Sequence, residues 1–108
     1  VRVSGENAIS LVDNIFRGRK PLSDTPANSI RYGHIERNGE VLDEVLCSVF
    51  RAPHSFTGEN MVEIACHGSI YIQETLLRWL IDVGCRAAQP GEFTRRAFIN
   101  GKHIRQES

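Results

Sequence analysis

Apolar positions recur along the chain with two different periods, and each period marks an element. Ala8, Ile9, Val12, Ile15 and Phe16 fall at helical spacing, which predicts an amphipathic helix over residues 6–17. Ser4, or less favourably Asn7, can cap its start, and Gly18 is placed to end it. Ahead of it, Val1-Arg2-Val3-Ser4 alternates like the end of a strand already under way, and with no initiating Met a further upstream segment is expected. Residues 20–28 hold two prolines and read as loop. Residues 30–36 and 41–50 alternate as strands, joined by Asn38-Gly39, a pair that suits a type I′ hairpin turn. In the second strand Val45, Cys47 and Val49 share one face while Leu46 and Phe50 share the other with Ser48, so cover on both sides is expected.

Residues 51–60 (RAPHSFTGEN) form a loop, and residues 61–66 a short strand with Val62, Ile64 and Cys66 on its apolar face. A long helix follows Gly68-Ser69, with Ile72, Leu76, Trp79, Leu80 and Val83 as its apolar stripe and Gly84 past its end. Residues 85–88 suit one more strand, and residues 92–99 a short helix with Ala97 and Phe98 available for packing. The order β-α-β-β-β-α-β-α predicts an α+β fold, a mixed, largely antiparallel sheet packed with helices.

A chain of 108 residues allows one compact domain, and 41% hydrophobic residues suffice for a core. Thirteen basic residues balance thirteen acidic ones, which argues against a free-standing nucleic-acid binder. A local basic cluster of Arg95, Arg96, Lys102 and Arg105 reads as a solvated face. Cys47, Cys66 and Cys85 lie in or beside apolar stretches without CxxC or zinc-like spacing, so reduced side chains in a cytoplasmic protein are expected. No apolar run is long enough to span a bilayer, and no membrane role is expected.

Glu63 is the least ordinary residue, a carboxylate inside an otherwise apolar strand. It shares a face with His67, and two readings stand: an acceptor for paired N–H donors on a ligand, or the exposed face of an edge strand. His67 lacks a sequence neighbour that would make it part of a catalytic triad, and Cys66 falls on the apolar face as an inert thiol. The loops 51–60 and 89–94 each carry Gly, a hydroxyl and a Glu, and such loops can approach a ligand closely. Phe56 could stack on a ring or plug the core. No GxxxxGK[ST] phosphate loop and no GxGxxG is present, and nothing suggests a metal site.

Two long segments carry a family resemblance. APHSFTGENMVEIACHG (residues 52–68) resembles the APxSYTGEDxxEIxCHG segment of the MnmE/TrmE family of tRNA-modifying GTPases, and PGEFTRRAFINGK (residues 90–102) resembles its PGEFTxRAFLNGK segment. Arg2-Val3-Ser4-Gly5 is similar to its RISG, and Asp43-Glu44-Val45 to its DEV. The resemblance implies that residues 1–108 are the N-terminal tetrahydrofolate-binding and dimerisation domain, without an upstream strand and without the helical and G domains. It implies half of a folate-binding fold like that of the glycine-cleavage T-protein, completed by dimerisation. The expected cofactor is 5-formyl-tetrahydrofolate or 5,10-methylene-tetrahydrofolate, a one-carbon donor, with GTP, magnesium and potassium confined to the G domain. The implied folate contacts fall on Arg2, Glu63 and Lys102, and no catalytic residue is expected in this segment. Expected partners are a second copy in a homodimer, the FAD protein MnmG (GidA), and tRNA, modified at C5 of its wobble uridine by the whole assembly. After Lys102 the family pattern continues LDLxQAEA where this chain reads HIRQES, and no function is placed on that tail.

Overall fold

The computed structural model describes residues 1–100, apart from the side chains of Ala97 and Phe98. The packing expected of those two side chains, and the roles expected of Lys102 and Arg105, lie outside the described residues.

Five antiparallel strands form one sheet in the order β1-β5-β4-β3-β2: β1 (Arg2–Ser4), β2 (Phe16–Gly18), β3 (Ser29–Arg37), β4 (Glu40–Phe50) and β5 (Met61–Ala65). Among the described residues three helices accompany it, α1 (Ala8–Asp13), α2 (Ile70–Asp82) and α3 (Glu92–Ile99), with one 3-10 turn at Leu22–Asp24. The fold is α+β, as the alternation of periods predicts. Asn38 and Gly39 take φ values of +53° and +81°, the pair of positive angles a type I′ turn needs between β3 and β4.

The first helix is shorter than its apolar spacing predicts. Ile15 and Phe16 are buried, but Phe16 pairs with Ile35 as the first residue of β2. Two glycines make this possible. A Cβ on Gly18 would stand 2.8 Å from the Phe16 ring, and one on Gly33 2.6 Å from it. The ring therefore lies over bare backbone on β2 and β3 and gains more there than in another helical turn. Asn14 closes α1 by donating its amide to the Ser10 and Leu11 carbonyls, 3.2 Å each. The carboxylate of Asp13 accepts from the Leu22 and Ser23 amides at 2.6 and 3.0 Å and starts the 3-10 turn.

Residues 85–88 form no strand. The Cys85 amide turns back to the Leu80 carbonyl at 2.9 Å, and Gly84 takes φ +125°, so these residues begin as the terminating wrap of α2. Beyond it Arg86, Ala87 and Ala88 join no sheet: they line the cavity beside β1, whose outer edge stays unpaired among the described residues.

Cover on β4 is one-sided. Val45, Cys47 and Val49 join Val62 and Ile64 of β5, Val12 and Ile15 of the first helical region, and Leu76, Trp79 and Leu80 of α2 in a single core. The opposite face carries Leu46, 47% exposed, between Tyr32 of β3 and Ala65 of β5, with Ile30 also open to solvent. Burial pushes the Cys47 thiol up to about 12 and raises that of the half-buried Cys85. All three cysteines are free thiols. Among the described residues no helix is long and apolar enough to cross a membrane.

Candidate ligand-binding site

Strand alternation decides where Glu63 goes. Val62 and Ile64 turn into the core, so Glu63 turns to the open face. It does not sit on an edge strand: β5 is held between β1 and β4, and Glu63 lies opposite Arg2 on one side and Ser48 on the other. The Arg2 Nε and Glu63 Oε1 are 3.1 Å apart, with side chains 52% and 39% exposed. The Arg2 guanidinium also lies over the Phe56 ring, 5.6 Å from its centroid. Phe56 is not a core plug; it stands exposed on the loop joining β4 and β5. Of the three residues implicated by family resemblance, Arg2 and Glu63 are thus brought together, and Lys102 lies outside the described residues.

Among the described residues the two motif loops are linked through β1, Arg96 and Asn100 rather than by direct polar contacts. Thr57 is fully buried, with its Oγ1 2.6 Å from the Ser4 hydroxyl. Glu59 accepts from Ser4 and from Arg96 Nη1, 3.2 Å each. Glu92, nearly buried, accepts from both Nη nitrogens of Arg86 at 2.9 and 2.5 Å, from the Gln89 amide at 2.8 Å, and pairs with Arg96 Nη2 at 2.7 Å. The Arg86 fork, the Gln89 amide and the Arg96 charge outweigh the effect of burial and hold the Glu92 carboxyl down at about 2. Asn100 donates to the Thr57 carbonyl at 2.8 Å and ties α3 to the same loop. Arg96, read from sequence as part of a solvated basic face, is therefore a bridge between Glu59 and Glu92, while Arg95 stays exposed.

A cavity of about 750 Å³ opens on the helix side of the β1 edge, where Leu11, Leu77, Ile81 and Phe93 form apolar walls beside Arg2 and Arg96. Glu63 does not line it.

One pairing was not visible in the sequence. Asp43 of β4 accepts from the His67 backbone amide at 2.8 Å and lies 2.7 Å from the His67 Nδ1. Burial raises the Asp43 carboxyl, but the His67 amide and ring together leave it below the usual carboxylate range. The ring itself is 73% exposed. The two residues stand 24 positions apart, and only the β4–β5 register makes them neighbours.

The whole of this framework has counterparts in known proteins. A sequence model of the family described as "GTP-binding protein TrmE N-terminus" matches residues 1–102. The chain is 56% identical over 106 residues to the tRNA modification GTPase MnmE of Parabacteroides distasonis, an alignment that covers 94% of this chain and 23% of that protein. It is 52% identical over 105 residues to the protein of the same name from Bacteroides thetaiotaomicron, with the same two shares, and 48% identical over 104 residues to that of Flavobacterium johnsoniae. The chain thus spans just under a quarter of the length of these relatives, at 22–23%. With a family match over nearly all its residues and relatives at about half identity, this chain belongs to the TrmE N-terminus family.

Proposed function

We propose that this chain binds a reduced folate on its open sheet face and forms a homodimer, as the N-terminal part of a GTPase that modifies C5 of the wobble uridine in tRNA. The relatives' name, tRNA modification GTPase, supports the setting. The observation that carries the reading is the Glu63 carboxylate, turned outward from the middle of the sheet with Arg2 as its one ionic partner among the described residues. Its exposure leaves acceptor capacity, and a carboxylate in that state fits the adjacent N–H donors of a pterin. The chemistry of the pair fits the rest of a folate as well: Arg2 offers donors and positive charge to folate oxygens, and Lys102 is assigned the same task. A folate bound here supplies a one-carbon unit, as 5-formyl- or 5,10-methylene-tetrahydrofolate. The residues of this chain hold and orient it and make no covalent bond. GTP with its magnesium and potassium, the FAD-dependent partner MnmG and the tRNA belong to the larger cytoplasmic assembly.

Titration calorimetry with 5-formyl-tetrahydrofolate tests the reading. Saturable binding is expected, weakened at least tenfold by Glu63→Ala, since hydrogen bonds to a charged group contribute about 1.5–3 kcal/mol each. Unchanged affinity in that variant sinks the role given to Glu63. A second reading, a dimerisation module that takes no folate, draws on the exposed Ile30, Tyr32 and Leu46 beside the site. It predicts no saturable binding at all.

A further inference from the structure

The exposed ring of Phe56 has no packing explanation of its own. Its chain neighbours are firmly held: Thr57 is fully buried against Ser4, and the Ser55 hydroxyl donates to the Glu59 carbonyl. Asn60 braces the loop further, its Oδ1 accepting from the Ala52 amide at 2.8 Å and its Nδ2 donating to the Glu6 carbonyl at 3.2 Å. A rigid loop thus holds a large aromatic out into solvent, 42% exposed, where burial would be favourable. The Arg2 guanidinium lies over this ring.

Arg2 needs such a neighbour. It sits on the edge strand with more than half its side chain exposed, and an exposed ion pair by itself fixes a long side chain poorly. Two contacts on different parts of the guanidinium do better. Nε lies against Glu63, and the guanidinium carbon lies over the Phe56 ring, 5.6 Å from its centroid. Among the described residues neither Nη nitrogen makes a hydrogen bond, so the open end of the fork is left for a ligand.

We propose that Phe56 is a positioning residue that holds Arg2 by a cation–π contact to its guanidinium, so that both Nη donors are presented to planar oxygen acceptors of the ligand beside Glu63. This rests on the folate reading for the ligand, and on the cation–π geometry alone for the holding of Arg2. The ring makes no demand on the ligand's own ring system; its effect on affinity runs through Arg2.

The test uses the full-length protein and two variants, Phe56→Leu, which keeps apolar bulk without a π face, and Phe56→Tyr, which keeps the face. With 5-formyl-tetrahydrofolate as probe, Phe56→Leu is expected to weaken binding roughly twofold to thirtyfold, and Phe56→Tyr to restore it. In an Arg2→Met background Phe56→Leu is expected to add nothing. An equal loss in both backgrounds overturns the proposal, as does full affinity in Phe56→Leu while Glu63→Ala still abolishes binding. A second readout needs no folate. NMR of the arginine-labelled protein should show Arg2 side-chain protons shifted upfield by the ring, an effect lost in Phe56→Leu and kept in Phe56→Tyr. Absence of that shift overturns the proposal even if folate binds, and its presence without any folate binding overturns only the ligand reading.

Discussion

Gly58 and Gly39 form a matched pair of probes for how firmly α3 is seated on the functional loop. Both adopt φ +81°. A Cβ on Gly39 meets nothing within 4 Å, whereas one on Gly58 stands 2.7 Å from the Asn100 Cβ. Alanine at either site bears the cost of left-handed backbone, about 1–2 kcal/mol. Any compensation from a stiffer unfolded chain is common to both. At Gly58 there is more. Carbon atoms settle roughly 3.5–4.0 Å apart, so Asn100 has to withdraw by about 1 Å. That motion stretches the Asn100 bond to the Thr57 carbonyl, 2.8 Å long, at a net loss of about 0.5–1.5 kcal/mol. The expected totals are about 1–2 kcal/mol for Gly39→Ala and about 1.5–3.5 kcal/mol for Gly58→Ala. With an unfolding entropy of roughly 2.1 cal/mol/K per residue, each kcal/mol lowers Tm by about 4 °C in a chain of 108 residues. Thermal denaturation followed by circular dichroism should therefore show a drop of about 4–9 °C for Gly39→Ala and a larger one, about 7–15 °C, for Gly58→Ala. Equal drops in the two variants would refute the reasoning, because they would mean that Asn100 does not stand against Gly58.

Acid titration of stability tests the Arg86–Glu92–Arg96 cluster. The Glu92 carboxyl moves from its usual 4.5 to about 2 on folding, so its contribution is complete above about pH 4.5 and is lost as pH falls toward 2. Glu92→Gln should lower stability at neutral pH and flatten the decline between those limits; parallel pH profiles for variant and wild type would contradict the assignment. Leu46→Lys tests the open sheet face as the homodimer contact. Because Leu46 is about half exposed, the variant should keep its Tm at low protein concentration and sediment as a monomer, and wild-type sedimentation would remove this face from the dimer.

Periodicity made β3, β4, β5 and α2 legible because each has a clear apolar rhythm and chemically distinct ends, such as Asn38-Gly39 before β4 and Gly84 after α2. It failed over residues 14–18, where Ile15 and Phe16 keep the helical rhythm but a tertiary slot over Gly18 and Gly33 outbids local preference. Residues 85–88 misled for a related reason. A strand needs a partner edge, and no short window of sequence reveals whether one is within reach. The pattern of β4, apolar on both sides, was read as two-sided cover; the helices of this chain cover one side only, which leaves Leu46 outside. For the site, alternation placed Glu63 opposite the core. Its pairing with Arg2 across 61 positions, and that of Asp43 with His67, depend on strand register and could not be read from spacing.

Charge accounting favours Glu63 over its two motif neighbours as the ligand acceptor. All three glutamates, Glu59, Glu63 and Glu92, lie in the segments that carry the family resemblance, so motif membership does not separate them. Their partners do. Glu92 has both oxygens engaged by two arginines and a backbone amide, the same partners that hold its carboxyl down, and diverting it would break them. Glu59 is bound by Ser4 and Arg96 and braces the loop that carries Phe56. A ligand recruiting either one would have to break a bond that holds the loops to β1 or to α3. Among the described residues Glu63 has a single exposed ion pair, the class of contact that contributes least and yields most readily. In a chain whose basic and acidic residues balance, the internal network consumes the carboxylates that stabilise the fold. Of these three, Glu63 alone keeps capacity among the described residues; it faces the uncovered side of the sheet, beside an arginine whose Nη nitrogens make no hydrogen bond there.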